Sequence, residues 1–112
     1  MEKAGKTSYY PNEMSHGNSK SSDREHHLYA INDRKRKGLY KYGISGRTLK
    51  EDGSSPRANE QVSLFNRVVG WSRFFAEILL TGIKGRKKAE TIERDYIKEY
   101  RKKNGHNPPG NL

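Results

Sequence analysis

The sequence predicts an α+β domain of order β-β-α-β-α, one small sheet with helices packed on it. Three observations carry this: two short aromatic and β-branched runs flank a basic turn, a capped stretch of helical apolar spacing follows over residues 56–69, and a second helical periodicity closes the chain. At 112 residues and 30% hydrophobic composition the chain holds one small core.

Residues 1–25 are rich in Ser, Asn, Gly, Lys and Glu and show no apolar period, which reads as an arm or linker before a folded domain over residues 26–112. Tyr9 and Tyr10 in that arm either dock on the body, stack on a base, or stay mobile. Leu28-Tyr29-Ala30-Ile31 predicts the first strand, and Asn32-Asp33 with the basic tetrad Arg34 to Lys37 and Gly38 predicts a turn. Leu39 to Ser45 supplies the second strand and completes an antiparallel hairpin. Ser55 reads as an N-cap and Pro56 as the first helical residue; Val62, Phe65, Val68 and Val69 then recur at helical spacing until Gly70. Phe74 to Thr81, between Gly70 and Gly82, reads as a buried third strand, with a helix as the alternative. Ala89, Ile92, Tyr96, Ile97 and Tyr100 fall on one face of a last helix that ends near Asn104-Gly105.

Lys and Arg number 23 against 13 Asp and Glu, a formal net charge of +10, which points to a polyanionic partner. There is no cysteine, so disulfide frameworks, thiol nucleophiles and cysteine zinc sites are excluded. No apolar run approaches the roughly 18 to 20 residues of a membrane helix, and no apolar stretch follows a basic N-terminus as in a secretion signal, so a soluble chain is expected.

Glu93 carries the first chemical signal. It lies four residues from both Ala89 and Ile97, inside the apolar stripe of the last helix. A carboxylate there either pairs with a core-facing arginine or opens on a cleft, where it can bind a hard divalent cation. Glu90, Asp95 and Glu99 sit where ion pairing is the ordinary role. Tyr29, Tyr40 and Tyr42 bring phenols into the hairpin; strand tyrosines pack, or else orient or deprotonate water where nearby cations lower their pKa. Arg47 in the turn after the second strand and Arg57 at the first helix are surface residues or phosphate ligands. The basic runs at 34–37, 84–88 and 101–103 suit a polyanion, and Arg34, Lys35, Arg36, Lys37, Lys41, Arg57, Lys87 and Lys88 are the candidates for nucleic-acid contact. His26 and His27 point to opposite sides of a strand, and with His16 and His106 they form no zinc spacing.

On these residues the chain resembles the GIY-YIG (URI) nuclease superfamily, above all the small versions at the toxin tips of bacterial polymorphic and contact-dependent inhibition systems. The resemblance runs over roughly residues 27–111. The first motif, Gly-Ile-Tyr, looks like His27-Leu28-Tyr29. The second, Tyr-Ile-Gly, looks like Tyr40-Lys41-Tyr42-Gly43 followed by Ile44-Ser45. The closing motif, a helix glutamate with Ile four residues on and an Asn after a Pro-containing turn, is similar to Glu93 to Ile97 and Asn107-Pro108-Pro109-Gly110-Asn111.

The resemblance implies a three-stranded antiparallel sheet flanked by helices and a metal-dependent hydrolysis of phosphodiester bonds in DNA or RNA. Glu93 would hold one Mg²⁺ or Mn²⁺, Tyr29 would act at the attacking water, and Tyr42 or Tyr40 would fill the second-motif role. An arginine, Arg47 ahead of Arg57, would stabilise the phosphate charge. His27 in place of the leading glycine is a further candidate base. The resemblance also implies an antibacterial toxin domain, delivered to the bacterial cytoplasm as the C-terminal tip of a larger secreted protein and masked by an acidic immunity protein. The alternative is a non-catalytic basic RNA- or DNA-binding domain whose tyrosines stack on bases; it leaves the placement of Glu93 unexplained.

Overall fold

The computed structural model describes residues 24–112; Tyr9, Tyr10 and His16 of the expected arm lie outside the described residues. The elements are β1 (Glu25–Asp33), β2 (Gly38–Ser45), α1 (Pro56–Val69), β3 (Phe74–Lys84) and α2 (Arg86–Asn104), in the expected order. They form an antiparallel sheet of order β2-β1-β3 with two helices.

The hairpin closes through Asp33. Its buried carboxylate accepts hydrogen bonds from Arg73 Nε and Nη2, both 2.8 Å, and from the backbone N–H of Lys35 and Arg36, at 3.0 and 3.3 Å. The arginine and these N–H groups hold the carboxyl below its usual range against the opposing effect of burial. The basic tetrad is thereby fixed as a turn with all four side chains exposed.

Strand alternation gives β1 two faces. Tyr29 and Ile31 meet Ala58, Val62 and Phe65 of α1, while Leu28 meets Ala89, Ile92 and Tyr96 of α2, so the helices cover opposite faces. Ala58 and Ala89, both fully buried, let each helix approach the sheet near its start. Helix α1 has the predicted bounds: Ser55 Oγ accepts from the Ala58 N–H, Pro56 opens the first turn, and Gly70 closes the helix with φ 83°.

β1 is the central strand, and His26 to Ile31 are all buried. The expectation that the third strand is the buried one is corrected. β3 is an edge strand on which Phe74 and Ile83 are buried while Phe75 and Leu80 are each 37% exposed. Its apolar run exceeds what two helices cover, and run length carries no information about position in the sheet. Val68, counted on the apolar side of α1, is likewise 76% exposed.

The outer edge of β2 is bonded by the chain end. Gly110 N–H donates to Tyr40 O at 2.7 Å, and the Asn111 amide accepts from Tyr42 N–H at 2.8 Å and donates to Tyr42 O at 3.0 Å. These bonds bracket Lys41. A side chain at Gly110 would meet Lys41 Cβ and the Tyr40 ring at 2.8 Å, so glycine is needed there. Asn111→Ala should lower stability by about 1–3 kcal/mol, because both partners at Tyr42 lose their bonds. The check is a lower urea midpoint at unchanged slope.

Candidate active site

Tyr29 faces Gly43 across the β1–β2 pair. A Cβ on Gly43 would overlap the Tyr29 ring, so the missing side chain is what allows the ring to lie across β2. The Tyr29 hydroxyl donates to Gln61 Oε1 at 2.7 Å, and Arg57 reaches the same phenol oxygen as a donor. Arg57 and Gln61 are four residues apart on α1 and so share one helical face.

The start of α1 is tied to β1 by a second contact. His27 Nε2 lies 2.7 Å from Ser55 Oγ, the group that caps the helix, and the His27 ring centroid is 6.2 Å from that of Tyr29. Burial first, and then the neighbouring His26, push the His27 pKa below its ordinary value, so the imidazole is neutral at pH 7. Both adjacent histidines are buried, with His26 Nδ1 2.7 Å from Arg24 O.

Glu93 of α2 completes the group from the other side. Burial raises its carboxyl above the ordinary value; Lys41 opposes that, Glu90 adds to it, and Arg86 and Arg94 oppose it further. Lys41 responds in the complementary way, its ammonium pushed down by burial, held up by Glu93 and pushed down again by Arg57. Tyr29 is raised by burial; Arg57 lowers it in part and Glu93 raises it. Tyr29, Lys41, Arg57, Gln61 and Glu93 therefore form one cluster drawn from β1, β2, α1 and α2, with Tyr29 buried, Lys41, Gln61 and Glu93 half-buried and Arg57 exposed. The condition set for a phenol that gives up its proton, cations that lower its pKa, is outweighed at Tyr29 by burial.

The second-motif tyrosines are placed differently. The Tyr40 ring packs edge-on against Phe65 and Phe74, with centroids at 5.6 and 4.9 Å. Tyr42 lies on the opposite face, 5.3 Å from Tyr96. What β2 offers Glu93 is Lys41. With Tyr-Ile-Gly aligned on Gly43, Lys41 falls at the tyrosine position. Counting back from the glycine would have found it in the sequence, whereas counting from a tyrosine could not. Gln61 carried no signal of its own beyond its spacing from Arg57.

Arg47 is 51% exposed and pairs with Glu60 at 2.9 Å. It lines a cavity of about 390 Å³ with His26 and His27. Arg34, Lys35, Arg36 and Lys37 sit on the hairpin turn, with Arg34 over the Phe75 ring at 4.3 Å, and Lys87 and Lys88 are exposed in the first turn of α2.

Among the described residues no three His, Asp or Glu side chains converge as a metal cage. One half-buried carboxylate whose neighbouring cation does not offset its burial fits a Mg²⁺ or Mn²⁺ that keeps most of its waters and takes further oxygens from a phosphate. It does not fit a tetrahedral zinc site.

A three-stranded antiparallel sheet between two helices, with a β1 tyrosine over a β2 glycine and a glutamate brought in from the last helix, defines a URI-type domain. The profile of the family described as URI fold toxin 2 matches residues 19–105, and the chain belongs to that family. No curated protein and no solved structure gives a significant match. Among the described residues no helix is long and apolar enough to cross a membrane.

A raised carboxyl is a stability cost when ionised. Stability tied to Glu93 is present below its ordinary pKa of 4.5 and is lost as pH rises through the higher folded value. Glu93→Gln should therefore melt at a higher temperature than the parent at pH 7, with the gap closing below pH 4.5. Thermal melts across that range would show the opposite sign at neutral pH if Glu93 were a stabilising ion-pair member.

Proposed function

We propose that this chain is the nuclease domain of an antibacterial toxin and hydrolyses phosphodiester bonds of DNA or RNA with Mg²⁺ or Mn²⁺ at Glu93. The observation that carries the reading is the half-buried Glu93 carboxylate, raised by burial and electrostatically linked to Lys41 and to the Tyr29 phenol that Arg57 and Gln61 hold. Titratable groups perturbed by burial together with a specific charge partner are what a functional site requires. Membership of a toxin family of URI fold supports the same reading.

In hydrolysis a water oxygen bonds to phosphorus and gives up a proton to solvent, the bond to one ester oxygen breaks with its electron pair left on that oxygen, which takes up a proton, and negative charge grows meanwhile on the non-bridging and leaving oxygens. Bound at Glu93, the cation would polarise the phosphate and stabilise the leaving oxygen. The Arg57 guanidinium and the Lys41 ammonium offer donors to the non-bridging oxygens. Tyr29, its proton directed to Gln61, presents a lone pair that orients a water on the attacking side. His27, neutral and bonded to Ser55, holds the first turn of α1 so that Arg57 and Gln61 meet Tyr29.

The arginine role moves to Arg57 because Arg57 is at the phenol and Arg47 is engaged by Glu60. The hairpin turn and the first turn of α2 supply non-specific phosphate contacts through Arg34, Lys35, Arg36, Lys37, Lys87 and Lys88. An acidic immunity protein, drawn by the +10 charge, is the partner, and delivery as the C-terminal tip of a secreted protein into a target cytoplasm is the setting.

The test is incubation with plasmid DNA and, separately, total RNA, with Mg²⁺, with Mn²⁺ and with a chelator. Metal-dependent cutting should disappear in Glu93→Gln, and Tyr29→Phe and Arg57→Ala should each lose about 100-fold or more. Arg47→Ala should lose less than about 10-fold, as expected of an exposed ion pair; the reverse order of the two arginines returns the phosphate role to Arg47. Binding without cutting under every condition would replace the nuclease by a nucleic-acid-binding module.

A further inference from the structure

We propose that a tyrosine-lined groove between β2 and the C-terminal half of α2 receives an unpaired nucleobase from the strand being cut, a subsite that deepens the nuclease reading and rests on it for the word "cut". The groove encloses about 490 Å³ and is lined by Tyr42, Tyr96 and Tyr100 together with Asp95, Glu99 and Lys103.

Three features favour a base as the occupant. The first is aromatic surface. Tyr42 and Tyr96 meet edge-on at 5.3 Å, and Tyr100 meets the His106 ring at 5.9 Å, so a row of rings extends to the end of α2. Nucleobases stack on such rings whatever their identity. The second is the rim. Asp95 and Glu99 repel a phosphate but accept hydrogen bonds from the amino groups of cytosine, adenine or guanine, while Lys103 lies where a flanking phosphate can reach it. The third is continuity with the candidate active site. Glu93, Tyr96 and Tyr100 stand at i, i+3 and i+7 on one face of α2, about 4.5 and 10.5 Å apart along its axis from Glu93. Tyr42 follows Lys41 in β2 and points to the other face of the sheet, so the groove adjoins the cluster along α2, on which Glu93, Tyr96 and Tyr100 share a face. Stacked nucleotides rise about 3.4 Å each along one strand, so the groove lies within two or three nucleotides of a phosphate held at Lys41 and Glu93.

A base inside a duplex cannot enter the groove without leaving its stack. The subsite therefore selects single-stranded or locally unpaired substrate, DNA and RNA sharing the chemistry that it reads.

The experiment measures anisotropy of labelled short oligonucleotides in chelator, where no cutting occurs. The probes are single strands of DNA and of RNA, the same single strands made abasic, and the blunt duplexes, at one salt concentration. Tyr100→Ala is expected to weaken intact single strands by about 5-fold or more and to leave abasic strands and duplexes unchanged. Tyr100→Phe, which keeps the ring, should bind as the parent does. The DNA and RNA arms report which sugar the subsite accepts. Equal affinity for intact and abasic strands, or parent-like binding of single strands by Tyr100→Ala, overturns the proposal and leaves the groove to a protein partner. The outcome is independent of cleavage: ring-dependent binding in a chain that cuts nothing removes the nuclease reading and keeps the subsite.

Discussion

The Tyr29 ring lies across β2 because residue 43 has no side chain, and the candidate site depends on that single crossing. Strand pairing sets Tyr29 opposite Gly43, and any Cβ there would occupy the space of the ring. With the ring laid over, its hydroxyl reaches Gln61 and Arg57 on α1 and comes under the influence of Glu93 on α2. A side chain at 43 would lift the phenol out of the cluster even if the sheet survived. The glycine therefore serves a close approach between neighbouring strands and not a turn.

Burial is the largest cause of the shift at each of the three titrating groups in that cluster, and in each it favours the neutral form. Glu93 and Tyr29 move up and Lys41 moves down. The charges on Arg57, Lys41 and Glu93 attract and oppose one another, but they do not cancel the loss of water around Glu93 or Lys41. A fold selected for stability alone would replace such a group with apolar side chains, because half-compensated buried charge stabilises little. Retaining it is understandable where a ligand restores the missing electrostatics, and a phosphate with a divalent cation supplies charge of both signs.

The elements were legible where they are punctuated by local chemistry. Ser55, Pro56 and Gly70 mark α1 because capping and left-handed termination need only neighbouring residues, and the α2 face was legible from its spacing alone. Glu93 could be singled out because helical phase is a local property as well. The burial of β3 was misjudged because position in the sheet is decided by pairing with β1, which no window along the chain contains. Lys41, legible as a phosphate-contact candidate, was not legible as the neighbour of Glu93. Sequence offered two conspicuous tyrosines beside it, and only the packing of Tyr40 on Phe65 and Phe74 and of Tyr42 on Tyr96 shows that both are occupied elsewhere. Spacing from the second motif puts Arg47 ahead of Arg57, and the contact of Arg57 with Tyr29, which favours the opposite order, joins elements that no window along the chain contains.

The two edges of the sheet are treated unequally, and the candidate site lies beside one of them. The free backbone groups of Tyr42 are met by the Asn111 amide across 69 residues of sequence, and those of Phe74, at the start of β3, are met by the Asn66 amide in the same two-bond manner. An asparagine side chain sets an N–H donor beside a carbonyl acceptor much as a peptide unit does, so each acts as a short additional strand. The difference lies in what each bond fixes. Asn66 joins α1 to the first residue of β3 and serves packing. Asn111, with Gly110 bonded to Tyr40, grips β2 on both sides of Lys41, the residue that faces Glu93. An edge strand held only by β1 would be free to shift at its outer side, and a displacement of about 1 Å at a catalytic group costs roughly 100-fold in rate.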